Sequence, residues 1–147
     1  MIDAKHQLRP PARDDEWKAF HAIRRKVLFE DRGKSEIYNE NHPDDAKPGN
    51  HPLVLLYKDA VVGVIRVDIS QTAAWFRRIA IREDLQRHGH GRALLRLAED
   101  FAKAQGCSEV RSNAAVEAVG FYERCGYTRD ESAPAPPNSV PVWKSLT

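Results

Sequence analysis

The sequence predicts an α/β fold: a mixed, mostly antiparallel sheet with helices on both faces. Two observations predict it. Through the middle of the chain, strand-like and helix-like apolar periods alternate, while both ends carry short strand-like runs that read as antiparallel. The composition is that of one globular domain: 147 residues, 41% hydrophobic and 30% charged, with neither internal repeats nor a linker. A single domain over residues 1–147 is the expectation.

Gln7-Leu8-Arg9 reads as a first strand stopped by Pro10-Pro11. Asp14 and Asp15 are N-cap candidates for an amphipathic helix with Trp17, Phe20, Ile23, Val27 and Leu28 at helical spacing, running to about Phe29. From Glu30 to Lys47 the chain is polar, with six acids against three bases and a local charge of −3. Strands follow at Leu53–Tyr57, Val61–Ile69 and Ala74–Ile81, with Lys58-Asp59-Ala60 as the turn between the first two. Leu94, Leu97, Ala98 and Phe101 share one face of the next helix, which stops near Gly106. Glu109–Asn113 is a strand, and Val119 and Tyr122 mark a short helix ended by Gly126. Two return strands, Tyr127–Asp130 and Val140–Leu146, enclose a loop with Pro134, Pro136 and Pro137.

Several function classes are excluded early. A net charge of +2 does not suggest nucleic-acid binding, and the arginine-rich stretch lacks interleaved aromatics beyond Trp75 and Phe76. Cys107 and Cys125 are too few for a disulfide framework and lack zinc-site spacing, so no metal is expected. Met1–His6 precedes no apolar stretch of signal-peptide type, and no run reaches the ~20 residues of a membrane span. A cytoplasmic protein without membrane contact is expected.

The most informative stretch is Ile79-Ala80-Ile81, then Gln86-Arg87-His88-Gly89-His90-Gly91, then a helix. A strand that turns through glycines into a helix leaves unpaired amides converging on one spot, and the helix dipole makes that spot positive. Gly89 and Gly91 let an anion approach the backbone, and Arg77, Arg78, Arg82, Arg87, Arg92 and Arg96 flank it. A pyrophosphate is the natural guest. The dinucleotide fingerprint fails, because Leu94 stands where the third glycine belongs and no acid follows at the ribose position. Gly33-Lys34-Ser35 ends like a P-loop, but Leu28 occupies the first glycine position.

Gln86–Gly91 resembles the Q/R-x-x-G-x-G/A turn of the GNAT superfamily of N-acetyltransferases. Ala118-Val119-Gly120-Phe121-Tyr122-Glu123-Arg124-Cys125-Gly126-Tyr127 is similar to that family's A-x-x-F-Y-E-K-x-G-F/Y segment, and Ile23–Val27 looks like part of its first helix. The resemblance is strong over residues 74–127. It implies a sheet splayed between its fourth and fifth strands, with acetyl-CoA as co-substrate. The pyrophosphate would sit on Gln86, Arg87, His88, Gly89, His90, Gly91 and Arg92. The pantetheine arm would pair with the backbone of Ile79, Ala80 and Ile81 as an added strand, and a backbone N–H there would face the oxyanion.

Tyr122 matches the tyrosine that protonates the leaving thiolate, a role its pKa near ~10 suits; the plainer reading is aromatic packing. The base is open. Some relatives carry a glutamate before the turn, where this chain has Arg77 and Arg78, leaving Glu109, Glu117, His42 and His51 as weak candidates. The family's cofactor-touching asparagine falls on Ala115, which puts Asn113 in doubt. His88 and His90 are expected to face solvent, and both cysteines to be structural. The resemblance implies as acceptor an amine of a small molecule or protein, expected between the first helical region and the Pro-rich loop; the −3 segment suits a cationic one. A homodimer is compatible with the resemblance. The second reading is a non-catalytic acetyl-CoA sensor on the same fold.

Overall fold

The computed structural model describes residues 5–29, 32–33 and 38–147. Seven strands form one sheet: β1 (His6–Arg9), β2 (Asn50–Tyr57), β3 (Ala60–Ser70), β4 (Ala73–Ile81), β5 (Glu109–Ala115), β6 (Thr128–Arg129) and β7 (Ser139–Ser145). Their order is β1-β2-β3-β4-β5-β7-β6, with β4 and β5 the parallel pair and every other pairing antiparallel. The helices are α1 (Asp14–Ile23), α2 (His90–Ala104) and α3 (Val119–Arg124). Among the described residues no helix is long and apolar enough to cross a membrane.

The alternation of side chains along the strands supplies a core on each face. Phe20 and Ile23 of α1 pack on Val54, Leu56, Val64 and Ala80. On the opposite face Leu94, Leu95, Ala98 and Ala102 of α2 pack on Leu55, Ile65 and Val67. The buried stripe of α2 is wider than the spacing alone predicts, since Leu95 and Ala102 join it. A fully buried leucine or phenylalanine contributes about 1.5–3 kcal/mol, so these stripes anchor both layers.

Local chemistry sets the boundaries. The N-cap of α1 is Arg13, one residue before the aspartates expected there. Glu16 replaces them by reaching back to the amides of Ala12 (2.7 Å) and Arg13 (3.3 Å), while Arg9 holds its other oxygen at 2.6 Å. The Arg9 guanidinium and those amides hold the Glu16 carboxyl down to about 2. The helical run does reach Phe29, but Arg24–Phe29 is π-helical, a widened turn often found at functional sites. Lys58 and Asp59 both take positive φ, the geometry of a tight hairpin turn between β2 and β3. Gly106, at φ 92°, lies just beyond the end of α2, and Gly126, at φ 94°, just beyond α3. The polar segment after α1 falls partly outside the described residues, and its end forms a 3-10 turn over Pro43–Ala46.

Candidate active site

β4 and β5 pair from Ala73–Glu109 to Phe76–Ser112 and no further. Beyond that point β4 stays paired with β3 through Val64–Ala80 and Gly63–Ile81, and β5 stays with β7 through Ala115–Ser139. The sheet therefore forks, as the resemblance implies, and one edge of β4 is open from Arg77 to Ile81. The β3–β4 register slips between Val64 and Arg66, opposite Arg78, whose φ of 55° is left-handed. Such a bulge bends the strand away from its neighbour.

A cleft of about 640 Å³ occupies the fork, in the usual range for small-molecule sites. Tyr122 and Ser112 lie at its base. Leu28, Phe29 and Arg32 form one rim and Pro136 and Pro137 the other, so the first helical region and the Pro-rich loop do flank it. The Ser112 hydroxyl donates to the Phe76 carbonyl at 2.9 Å, fastening the strands where they part. Tyr122 is buried, and burial raises its pKa, with the Ser112 hydroxyl acting in the opposite direction. Ser112 was not singled out from the sequence, because only the β4–β5 register places it beneath Tyr122.

The glycine turn lies past the open end of β4. Gln86 donates its side-chain amide to the Ile81 carbonyl at 3.2 Å, tying the turn to the strand. Gly89, at φ 87°, is the N-cap of α2, and Arg87 is also left-handed at 68°. A Cβ on Gly91 would stand 3.2 Å from Phe121 on the cleft wall, so glycine there permits close packing of α2 on α3. Arg87, His88 and Arg92 are exposed. His90 departs from expectation: it is buried, with Nδ1 2.9 Å from Nε2 of His6 and its ring against Tyr57. It is the first residue of α2, and its side chain turns under the helix toward β1.

The six arginines do not act as one cluster. Arg87 and Arg92 belong to the turn and its helix; Arg82 is tied to Asp84 at 2.8 Å. Arg77 and Arg78 line the cleft at the other end of the open edge. None of the base candidates lines it. Glu109 begins β5 at the closed end and binds Arg111 at 2.6 Å; His42 caps the Asp44 amide at 3.1 Å; His51 packs against Phe101; Glu117 is exposed. Asn113, by contrast, lines the fork, and its Oδ1 is buried without a hydrogen-bond partner. Cys107 is buried and Cys125 half-buried, both as free thiols whose pKa burial raises. No group of three or more His, Cys, Asp or Glu among the described residues could hold a metal ion.

The acetyltransferase (GNAT) family model matches residues 12–127. The chain belongs to that family. It is 32% identical over 106 residues, 71% of each chain, to a Bacillus subtilis (strain 168) protein named "Putative acetyltransferase BSU40680". Two solved structures share the fold. The spermidine N-acetyltransferase of Vibrio cholerae, in complex with CoA and spermine, superposes with a TM-score of 0.75 at 16% identity, covering 98% of this chain and 97% of that one. The PaiA N-acetyltransferase of Thermoplasma acidophilum, in complex with coenzyme A, gives 0.72 at 15%, covering 95% and 98%. The fork that the resemblance implies is thus present here, in a cleft lined by Arg77 and Arg78.

Proposed function

We propose that this protein is an N-acetyltransferase that moves the acetyl group of acetyl-CoA to a primary amine by direct attack in a ternary complex. The observation that carries the reading is the fork between β4 and β5 with Tyr122 at its base. When bound, acetyl-CoA supplies an activated thioester. The amides of Arg87 to Arg92, at the N-terminus of α2, are oriented to receive its pyrophosphate. The open edge at Ile79, Ala80 and Ile81 accepts a strand-like arm by main-chain pairing. The fit has a further support in Asn113: a buried oxygen left without a donor costs about 1–3 kcal/mol, and an amide N–H in the fork would relieve it.

At the fork Tyr122 holds a proton at Oη, kept there across neutral pH by burial and available to the departing sulfur. A backbone N–H between Ile79 and Ile81 donates to the developing oxyanion. Tyr122→Phe removes one oxygen and leaves the packing. With free-thiol release as readout, kcat should fall roughly 10²–10⁴-fold while acetyl-CoA affinity holds. Full kcat in Tyr122→Phe would return the residue to a packing role. Tight acetyl-CoA binding by a wild-type protein that acetylates no amine would make it a sensor.

A further inference from the structure

Behind the cleft, three guanidinium groups share two carboxylates. Asp45 accepts from Arg24 at 2.8 Å and Arg66 at 3.2 Å, and Asp68 accepts from Arg66 at 2.7 Å and Arg77 at 3.2 Å. Arg24 and Arg66 are 1% and 4% exposed, so this imbalance is held in a medium where charge is costly. Arg24 has Nε and Nη2 buried without partners. Arg78 forms no ion pair among the described residues. It is half-buried on the cleft wall, its guanidinium 5.3 Å from the Phe29 ring centroid. Burial, then Arg24 and Arg66, push its pKa below the ordinary value. The described cleft walls hold Arg32, Arg77 and Arg78 and no acid or histidine.

The cofactor reading supplies no anion for Arg78, which has none among the described residues. The pyrophosphate belongs to the turn beyond Ile81, and Ile81 alone is about 10 Å along the strand from Arg78 at 3.3 Å per residue. The arm between is uncharged. Resting on the transferase reading above, we infer that the acceptor is an amine that also carries an anionic oxygen group, a carboxylate or phosphate, held by Arg78. A guanidinium fork suits either group. The same cations disfavour an ammonium nearby, so they lower the acceptor amine's pKa and supply the neutral nucleophile that no wall residue is placed to generate. A polyamine, with positive charge at both ends, is repelled.

The test uses the intact protein and matched probes. Each standard amino acid is compared with its α-amide, phosphoethanolamine with ethanolamine, and all with spermidine, by thiol release from acetyl-CoA. In at least one pair the anionic member should exceed its neutral partner in kcat/KM by roughly tenfold, the effect of one charge-assisted hydrogen bond. The pair that responds distinguishes carboxylate from phosphate. Arg78→Gln should erase the preference mainly through KM, leaving CoA affinity by titration unchanged, and Arg78→Glu should reverse it toward spermidine. N-acetylated amino acids and their amides, bound to the CoA complex in thermal shift, give the same comparison without turnover. CoA binding with a wild-type preference for spermidine or the amides overturns this inference alone, as does a preference that survives Arg78→Gln. Failure to bind CoA overturns the transferase reading with it.

Discussion

The molecule has two places that invite an anion, and they are built oppositely. At the glycine turn the positive end is main chain: a helix N-terminus capped by the exposed, left-handed Gly89, with Arg87 and Arg92 exposed beside it. At the bulge of β4 it is side chain: Arg24 from the π-helical turn after α1, Arg66 from β3, and Arg77 and Arg78 from β4, with Asp45 and Asp68 only half compensating them. Backbone dipoles supply a site at no cost in buried charge, so the first suits a cofactor. Buried guanidiniums are costly without a partner, so the second calls for a ligand that completes it.

Three perturbations break or sharpen this contrast, beginning with the largest. Gly91→Glu should abolish CoA binding, weakening it by roughly 10³-fold or more. Its Cβ would already press on Phe121 at 3.2 Å, and its carboxylate adds like charge beside the phosphates. The protein should still unfold cooperatively, and retained affinity in a folded variant would place the cofactor elsewhere. Asp45→Asn strikes the other region: it leaves Arg24 and Arg66 buried with one less anion, a loss of about 3 kcal/mol in urea unfolding. Acetyl-CoA affinity of the folded fraction should not change. A variant as stable as wild type would show that the arginine cluster tolerates its own charge.

The smallest effect tests a carboxylate remote from both. Glu16 has a folded pKa depressed to about 2 by Arg9 and the Ala12 and Arg13 amides. Its contribution is therefore fully present above the unfolded carboxylate value near ~4.3, and is lost as pH falls through that value toward 2. Glu16→Gln should lower Tm at neutral pH, and the gap to wild type should close as acid is added over that window. A gap independent of pH would mean that Glu16 acts by shape rather than charge.

The acidic segment shows how charge read along the chain differs from the charge left after pairing. Its net −3 suggested a cationic acceptor, but several of its described acids are engaged within the protein. Asp45 serves Arg24 and Arg66, Asp44 serves Lys47 at 2.7 Å, and Glu40 serves Arg25 at 3.0 Å. Of the other three, Glu30, Asp31 and Glu36 lie outside the described residues. A formal charge counts groups; a surface potential counts those left after pairing. His90 misled, since position in a turn said nothing of the pocket made by His6 and Tyr57.

What the sequence by itself determined was local in cause. The strand–turn–helix unit from Ile79 to the start of α2 is legible because glycine conformation, helix capping and apolar period act over a few residues. The same holds for the stops at Gly106 and Gly126. The segment through Phe121 and Tyr122 was legible as part of a family pattern. Tertiary structure alone decided where the fork opens, because that depends on the register of Phe76 against Ser112 across 36 residues. It alone decided that Arg66 and Arg77 would find aspartates while Arg78 forms no ion pair among the described residues. Coulomb interactions depend on distance in space, and folding brings together groups that the chain keeps apart.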